Sequence, residues 1–412
     1  MKKKYYSTVM FSGMLLASSL ALADRNPGVS LTDCHTATAL PSPHCGVTPT
    51  PAFDRQGRLW VAFVQHGHVY VAHSDDAGAT FSSPVAVNPA VEEIYTNGEN
   101  RPKIAFGPKG EIYLSWTQKT AGRYTGNIRF SRSLNGGAGF DAPRTVNDDG
   151  LPVSHRFDSL LVTASGRIYL VWLDKRDNSA VERDLGRDYK GAALYYTVSQ
   201  DRGEHFAPNR KLADHSCECC RLGMAQWGED GFAMFWRHIF DANTRDHAFM
   251  IFDPAAKPAV QRVTFDDWRI DACPHHGPAI SRAGGHGYHL AWFTNGPERK
   301  GVFYGYYHLD EKRLFRSRSV DDSAGAGHPQ LLANDRHTVM VWKTFDGKST
   351  RLQVIRSDDS GNSWSPAFSP MQTSGTSDHP MLVAYGDRIH VSWHTQQEGY
   401  RLMPVTTGGD AR

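Results

Sequence analysis

Six cysteines and 20 histidines are the side chains of this 412-residue sequence best suited to chemistry, and several of them are bunched. Cys217, Cys219 and Cys220 stand together, then come Cys273, His275 and His276, and later His328 and His379. Sulfur and imidazole donors together suit copper first and zinc second, since soft thiolates and imidazoles favour these ions over oxygen-seeking ones. The spacing matches no zinc-finger or zinc-ribbon pattern, so a shared ion would have to be assembled by the fold. The same cysteines support two other readings. An even number of cysteines in an exported chain suggests disulfides, with Cys34–Cys45 the expected bridge and Cys273 joining one of Cys217, Cys219 or Cys220. Alternatively, neighbouring thiols such as Cys219 and Cys220 form a reactive redox pair.

Export is inferred from residues 1–23. Lys2, Lys3 and Lys4 precede an apolar stretch through Met14, Leu15, Leu16 and Leu20, and Ala21-Leu22-Ala23 stands before Asp24, the pattern of a secretory signal peptide cleaved after Ala23. Residues 24–412 are then one domain, periplasmic or secreted. Asp24, not a cysteine, follows the cut, which argues against a lipid anchor, and no later apolar run reaches the roughly 20 residues needed to cross a bilayer. A formal net charge of +2 provides no basic face for nucleic acid or an anionic membrane.

The elements that must position these residues are short strands. The chain is 40% hydrophobic and 21% charged, with 38 glycines and 22 prolines punctuating it, which excludes disordered, collagen-like and coiled-coil classes. One unit recurs about every 50 residues. In the copy over residues 157–206, strands at Leu160–Val162, Ile168–Trp172 and Ala193–Val198 lead through Ser199, Asp201, Gly203 and Phe206 to a fourth near Leu212. The end of the second strand recurs as Phe63, Trp116, Trp172, Trp236, Trp292, Trp342 and Trp393, which makes seven units.

The turn after the third strand repeats as Ser74, Asp76, Gly78, Phe81; as Ser133, Asn135, Gly137, Phe140; and as Ser357, Asp359, Gly361, Trp364. In these residues the chain resembles the Asp-box repeats of the sialidase (neuraminidase) superfamily. The resemblance covers nearly all of residues 24–412 and implies an all-β fold, a β-propeller with four antiparallel strands per blade. Seven blades are counted here, whereas six are usual in that family. The last unit, His379–Val405, supplies three strands, so its fourth is expected from the segment after Asp24.

In a propeller, the segments entering each first strand emerge on the same face as the loops between strands two and three. Those entries carry His44 and Cys45; Arg101; His155 and Arg156; Cys217, Cys219, Cys220 and Arg221; Cys273, His275 and His276; His328; and His379. The expectation is a metal ion held at the central funnel by Cys217, Cys219, Cys220, Cys273, His275, His276, His328 and His379. The family resemblance implies an alternative, an exo-sialidase-type glycoside hydrolase in which Arg101, Arg156 and Arg221 hold a substrate carboxylate and Asp174 is the acid/base. The family's Arg-Ile-Pro has no counterpart in Thr48-Pro49-Thr50-Pro51, and no tyrosine–glutamate nucleophile pair can be assigned. A third class is a non-catalytic propeller binding a glycan or a protein.

Overall fold

The computed structural model describes residues 31–405 apart from 32, 33, 35, 37, 179–189, 242 and 285. The expected leader lies outside the described residues; of the segment after Asp24, expected to supply blade seven's fourth strand, the described residues 31, 34, 36 and 38–45 form no strand. The described chain forms seven antiparallel sheets in sequence order, each a blade of a seven-bladed β-propeller with almost no helix. Blades one to six, starting at Val47, Lys103, His155, Gly223, Ala279 and Gly327, have four strands each; the seventh, Met381–Pro404, has three described strands.

The second strand of each blade is an almost unbroken apolar run, such as Ile168–Asp174 and Gly231–Arg237, and every residue of these two is buried. Burial on both faces follows from stacking, because each sheet is covered by the blade before and the blade after. Seven apolar clusters fill the gaps between consecutive blades. The one that closes the ring packs Tyr400 and Leu402 of blade seven on Leu59, Val61 and Phe63 of blade one. The six second-strand tryptophans are at most 2% exposed, and burying such a ring contributes about 4–6 kcal/mol as an upper estimate. Several of their indole N–H groups donate to a blade-end carboxylate, as Trp172 does to Asp174 at 2.7 Å and Trp116 to Glu92 at 2.9 Å.

The turns after the third strands are local hydrogen-bonded units. Gly78 N and Gly361 N donate to Ser74 Oγ and Ser357 Oγ at 2.8 and 2.7 Å, and the amides of Thr80 and Ser363 donate to Asp76 and Asp359 at 2.8 Å. Gly78 and Gly361 take φ of 90° and 81°, where a side chain would be strained. Three inner strands open on β-bulges, at Thr48, Phe157 and His328, each with φ between 50° and 58°. A bulge turns a strand locally and re-aims its side chains, and these bulges are where the inner strands enter the face that carries the histidines and cysteines.

Candidate functional site

At the hub, five blade entries meet on one carboxylate. Glu99, 2% exposed, accepts Arg221 Nη1 at 2.7 Å on Oε1, and the backbone N–H groups of Arg221 and Gly277 at 2.9 Å on Oε2. His328 Nδ1 and His379 Nδ1 face Oε1 at 3.6 and 3.4 Å. Burial alone would push the Glu99 carboxyl up, but the Arg221 guanidinium and the two imidazoles outweigh it and hold the group well below the usual carboxylate range. The rings of His276, His328 and His379 form a stack with centroids 4.2 and 3.6 Å apart. Burial lowers His379 to about 4, so the stack is neutral near pH 7.

Glycines make this packing possible. A Cβ on Gly98 would overlap the His379 ring, one on Gly277 would overlap Arg221 and Glu99, and one on Gly327 would press on His276. Beside Glu99, Arg101 Nη2 donates to Asp378 at 2.7 Å, and Lys103 Nζ donates to Arg101 O at 2.6 Å and lies 3.5 Å from Asp158. Among the described residues neither His328 Nδ1 nor His379 Nδ1 has a hydrogen-bond partner, and Glu99, His328 and His379 each offer one ligand atom within 4.8 Å of the others, the arrangement that could hold an ion.

The thiols gather elsewhere, between blades three and four. Sγ of Cys217, Cys219 and Cys220 are 3.6, 4.0 and 3.8 Å apart, and all three residues are at most 2% exposed. Arg245 Nη1 donates to Cys217 Sγ at 3.2 Å. Hydrogen bonds from Cys219 and Cys220, helped by Arg237 and Arg245, hold Cys217 well below the usual thiol range, while Cys219 and Cys220 are pushed up. Cys273 is exposed and lies beside Cys219, and both line an open pocket of about 480 Å³ together with His275, Arg123 and Arg156. Cys34 and Cys45 form the expected disulfide.

The eight residues expected at one metal site are thus divided. Cys217, Cys219 and Cys220 cluster with Cys273 alongside, His276, His328 and His379 stack at the hub, and His275 faces the thiol-side pocket. The arginines are divided too. Arg101 and Arg221 are paired at the hub with Asp378 and Glu99, and Arg156 lies in the other pocket. Asp174 is fully buried; its carboxylate accepts Trp172 Nε1 at 2.7 Å and Arg176 N and Nε at 2.8 and 3.0 Å, which leaves it turned toward its own blade. Glu99, Arg237 and Arg245 were not singled out from the sequence. Glu99 lies only two residues before Arg101 in an entry segment, and that position was the available signal.

No protein-family model matches the chain, and no curated protein matches it. Solved structures do. A polysaccharide lyase described as an ulvan lyase superposes with a TM-score of 0.56 at 12% identity, over 87% of this chain and 94% of that one. A second polysaccharide lyase gives 0.53 at 10% identity over 88% and 90%. An α-L-arabinofuranosidase from Fusarium graminearum gives 0.50 at 12% identity over 75% and 93%. The likeness is one of fold: these carbohydrate-active proteins share the propeller.

Proposed function

We propose that the protein is an exported propeller that holds a thiophilic transition-metal ion, copper in preference to zinc, on Cys217, Cys219 and Cys220. The observation that carries this reading is the sulfur triangle. An ion with metal–sulfur bonds of about 2.3 Å in tetrahedral geometry needs ligand sulfurs about 3.8 Å apart, and the three separations of 3.6, 3.8 and 4.0 Å bracket that value. Three thiolates on one ion leave net negative charge, which the Arg245 and Arg237 guanidinium groups offset. Cys273, next to Cys219, is exposed on the pocket side of the trio. Untagged protein from the periplasm should carry copper or zinc near stoichiometry by elemental analysis and lose it in Cys217→Ser and Cys220→Ser. Metal-free protein with Cys217, Cys219, Cys220 and Cys273 all oxidised to disulfides would overturn the reading.

A second reading, a propeller that handles carbohydrate on this face, is favoured by the open pocket beside Arg156 and by similar folds solved with carbohydrate ligands, among them an ulvan lyase bound to -[GlcA(1-4)Rha3S]-. Sialidase-type hydrolysis as a specific chemistry would require Arg101 and Arg221 to leave Asp378 and Glu99 for a substrate. A fluorogenic sialoside tests it: turnover abolished by Asp174→Ala supports hydrolysis, and absence of turnover removes it.

A further inference from the structure

We propose that Glu99, His328 and His379 form a second ion site, at the hub, which takes zinc and keeps a fourth position open to a small anion such as hydroxide. The site is separate from the sulfur triangle and is built on a carboxylate instead of thiols. Zinc bound at about 2.1 Å in tetrahedral geometry sets its ligand atoms about 3.4 Å apart. Glu99 Oε1 lies 3.4 Å from His379 Nδ1 and 3.6 Å from His328 Nδ1, and the three atoms are all within 4.8 Å of one another. Both Nδ1 atoms are buried, and among the described residues neither has a hydrogen-bond partner. A buried polar atom left unpaired costs free energy, and an ion between the two rings and Glu99 removes that cost at both.

The neighbours of these atoms hold them for the task. The Arg221 and Gly277 amides take Glu99 Oε2 at 2.9 Å, and Arg221 Nη1 takes one lone pair of Oε1, so the other lone pair of Oε1 is left for an ion. His276 is not a third imidazole ligand, because its Nδ1 accepts the His328 amide at 3.3 Å; its ring, backed by Phe293 at 4.0 Å, positions His328 instead. The His328 and His379 planes are 24° apart, so sharing an ion requires each ring to turn about its Cβ–Cγ bond, a broad torsion for histidine. Charge sets the fourth ligand. Arg221 and Arg101 balance Glu99 and Asp378, and Lys343 is a further cation acting on His328. A dication added here draws in an anion, which the same cations stabilise. That anion has an approach, since Gly98, Asp378 and His379 line an open pocket of about 640 Å³ among the entries of blades one, two and seven. Three protein ligands and one open position are the zinc arrangement that leaves the ion accessible. The inference does not rest on an ion at the thiols.

Titration of the full protein lacking its leader, stripped of metal, with cobalt(II) as a coloured stand-in for zinc tests it. The hub ion should give visible d–d bands without a sulfur-to-cobalt charge-transfer band, which only the thiols can produce. Failure of the thiol reading would remove that sulfur band and leave the hub bands; failure of this one would do the reverse. His379→Ala should weaken the hub class at least about a hundredfold, because even an outer partner of a metal ligand is worth about 10- to 100-fold, and should leave the sulfur band in place. Sodium azide should shift the hub bands by entering the open position. On unmodified protein, zinc-edge anomalous diffraction from zinc-soaked crystals should place an ion between Glu99, His328 and His379 with a non-protein fourth ligand. That measurement decides the matter if His379→Ala fails to fold. No ion at the hub, undiminished binding by a folded His379→Ala, or hub bands that azide leaves unmoved overturns the proposal.

Discussion

Glu99 and Arg221 are 122 residues apart in the chain and meet at the hub, Nη1 to Oε1 at 2.7 Å, so that one ion pair ties the entry of blade two to the entry of blade four. The two side chains are 1% and 13% exposed. At that depth the desolvation cost of each charge is offset only by its partner, and removing one partner leaves the other stranded. Because Gly277 N donates to the same carboxylate and His328 and His379 face it, the pair anchors five of the seven entries.

Glu99→Ala is therefore expected to cost about 3–5 kcal/mol of unfolding free energy, measured by denaturant titration. The pH dependence has a defined sign. The folded carboxyl lies well below its ordinary 4.5, so its contribution is present above about pH 4.5 and disappears as the pH falls through the folded value. The wild type should lose stability on acidification more steeply than Glu99→Ala. Equal acid slopes would mean that Arg221 does not hold the charge.

Gly98→Ala isolates the packing of the imidazole stack. The new methyl would overlap the His379 ring, and overpacking of a tight site costs about 1–3 kcal/mol. Thermal unfolding should show this loss, and the histidine ring resonances of His379 and His328 should shift together, because the two rings are 3.6 Å apart. A stable variant with unmoved ring resonances would show that the hub has slack.

The blades were legible in the sequence because each is a local event. The aromatic at the end of every second strand marks a residue that must be buried between sheets, and Trp116, Trp172, Trp236, Trp292, Trp342 and Trp393 all occupy that position. The Ser74, Asp76, Gly78 turn was equally readable, since its hydrogen bonds span four residues. The face that carries the site followed from strand order. Convergence on that face did not, because the distance from the axis is a property of side-chain direction. Cys217 and His328 both belong to segments entering a blade, yet Cys217 packs between two blades while His328 faces Glu99 at the hub. Beyond its place two residues before Arg101, Glu99 carried no signature, since its partners lie 122 to 280 residues away.

The thiols should react in two classes. Cys273 is exposed and a hydrogen bond from Cys219 lowers its thiol, whereas Cys217, Cys219 and Cys220 are buried. Brief treatment of native protein with iodoacetamide should mark Cys273 first, with the trio labelled only after unfolding. Chelation of a bound ion by a copper(I)- or zinc-selective chelator should speed labelling of the trio and leave Cys34 and Cys45, which are disulfide-bonded, unmarked. Peptide mass spectrometry reads every site separately, and uniform labelling of all four free thiols in native protein would contradict the burial of Cys217, Cys219 and Cys220.

His155 gives the opposite pH sign to Glu99. It is fully buried; its Nε2 lies 3.0 Å from Asp149 and 3.7 Å from Asp174, and its Nδ1 is 2.9 Å from Gly126 O. Burial disfavours the imidazolium, but the Asp149 hydrogen bond and the Asp174 charge outweigh it, so the folded pKa is raised above 6.5. A raised group contributes stability that is complete below its unfolded value and is lost as the pH climbs through the folded one. Unfolding free energy of the wild type should therefore decline on passing from about pH 6.5 into the alkaline range. His155→Gln keeps a hydrogen-bonding side chain without the titratable proton. It should be less stable at pH 6 and lose the alkaline decline, because Arg176 alone then faces Asp149 and Asp174. A decline that persists unchanged in His155→Gln would assign the alkaline limb to some other group.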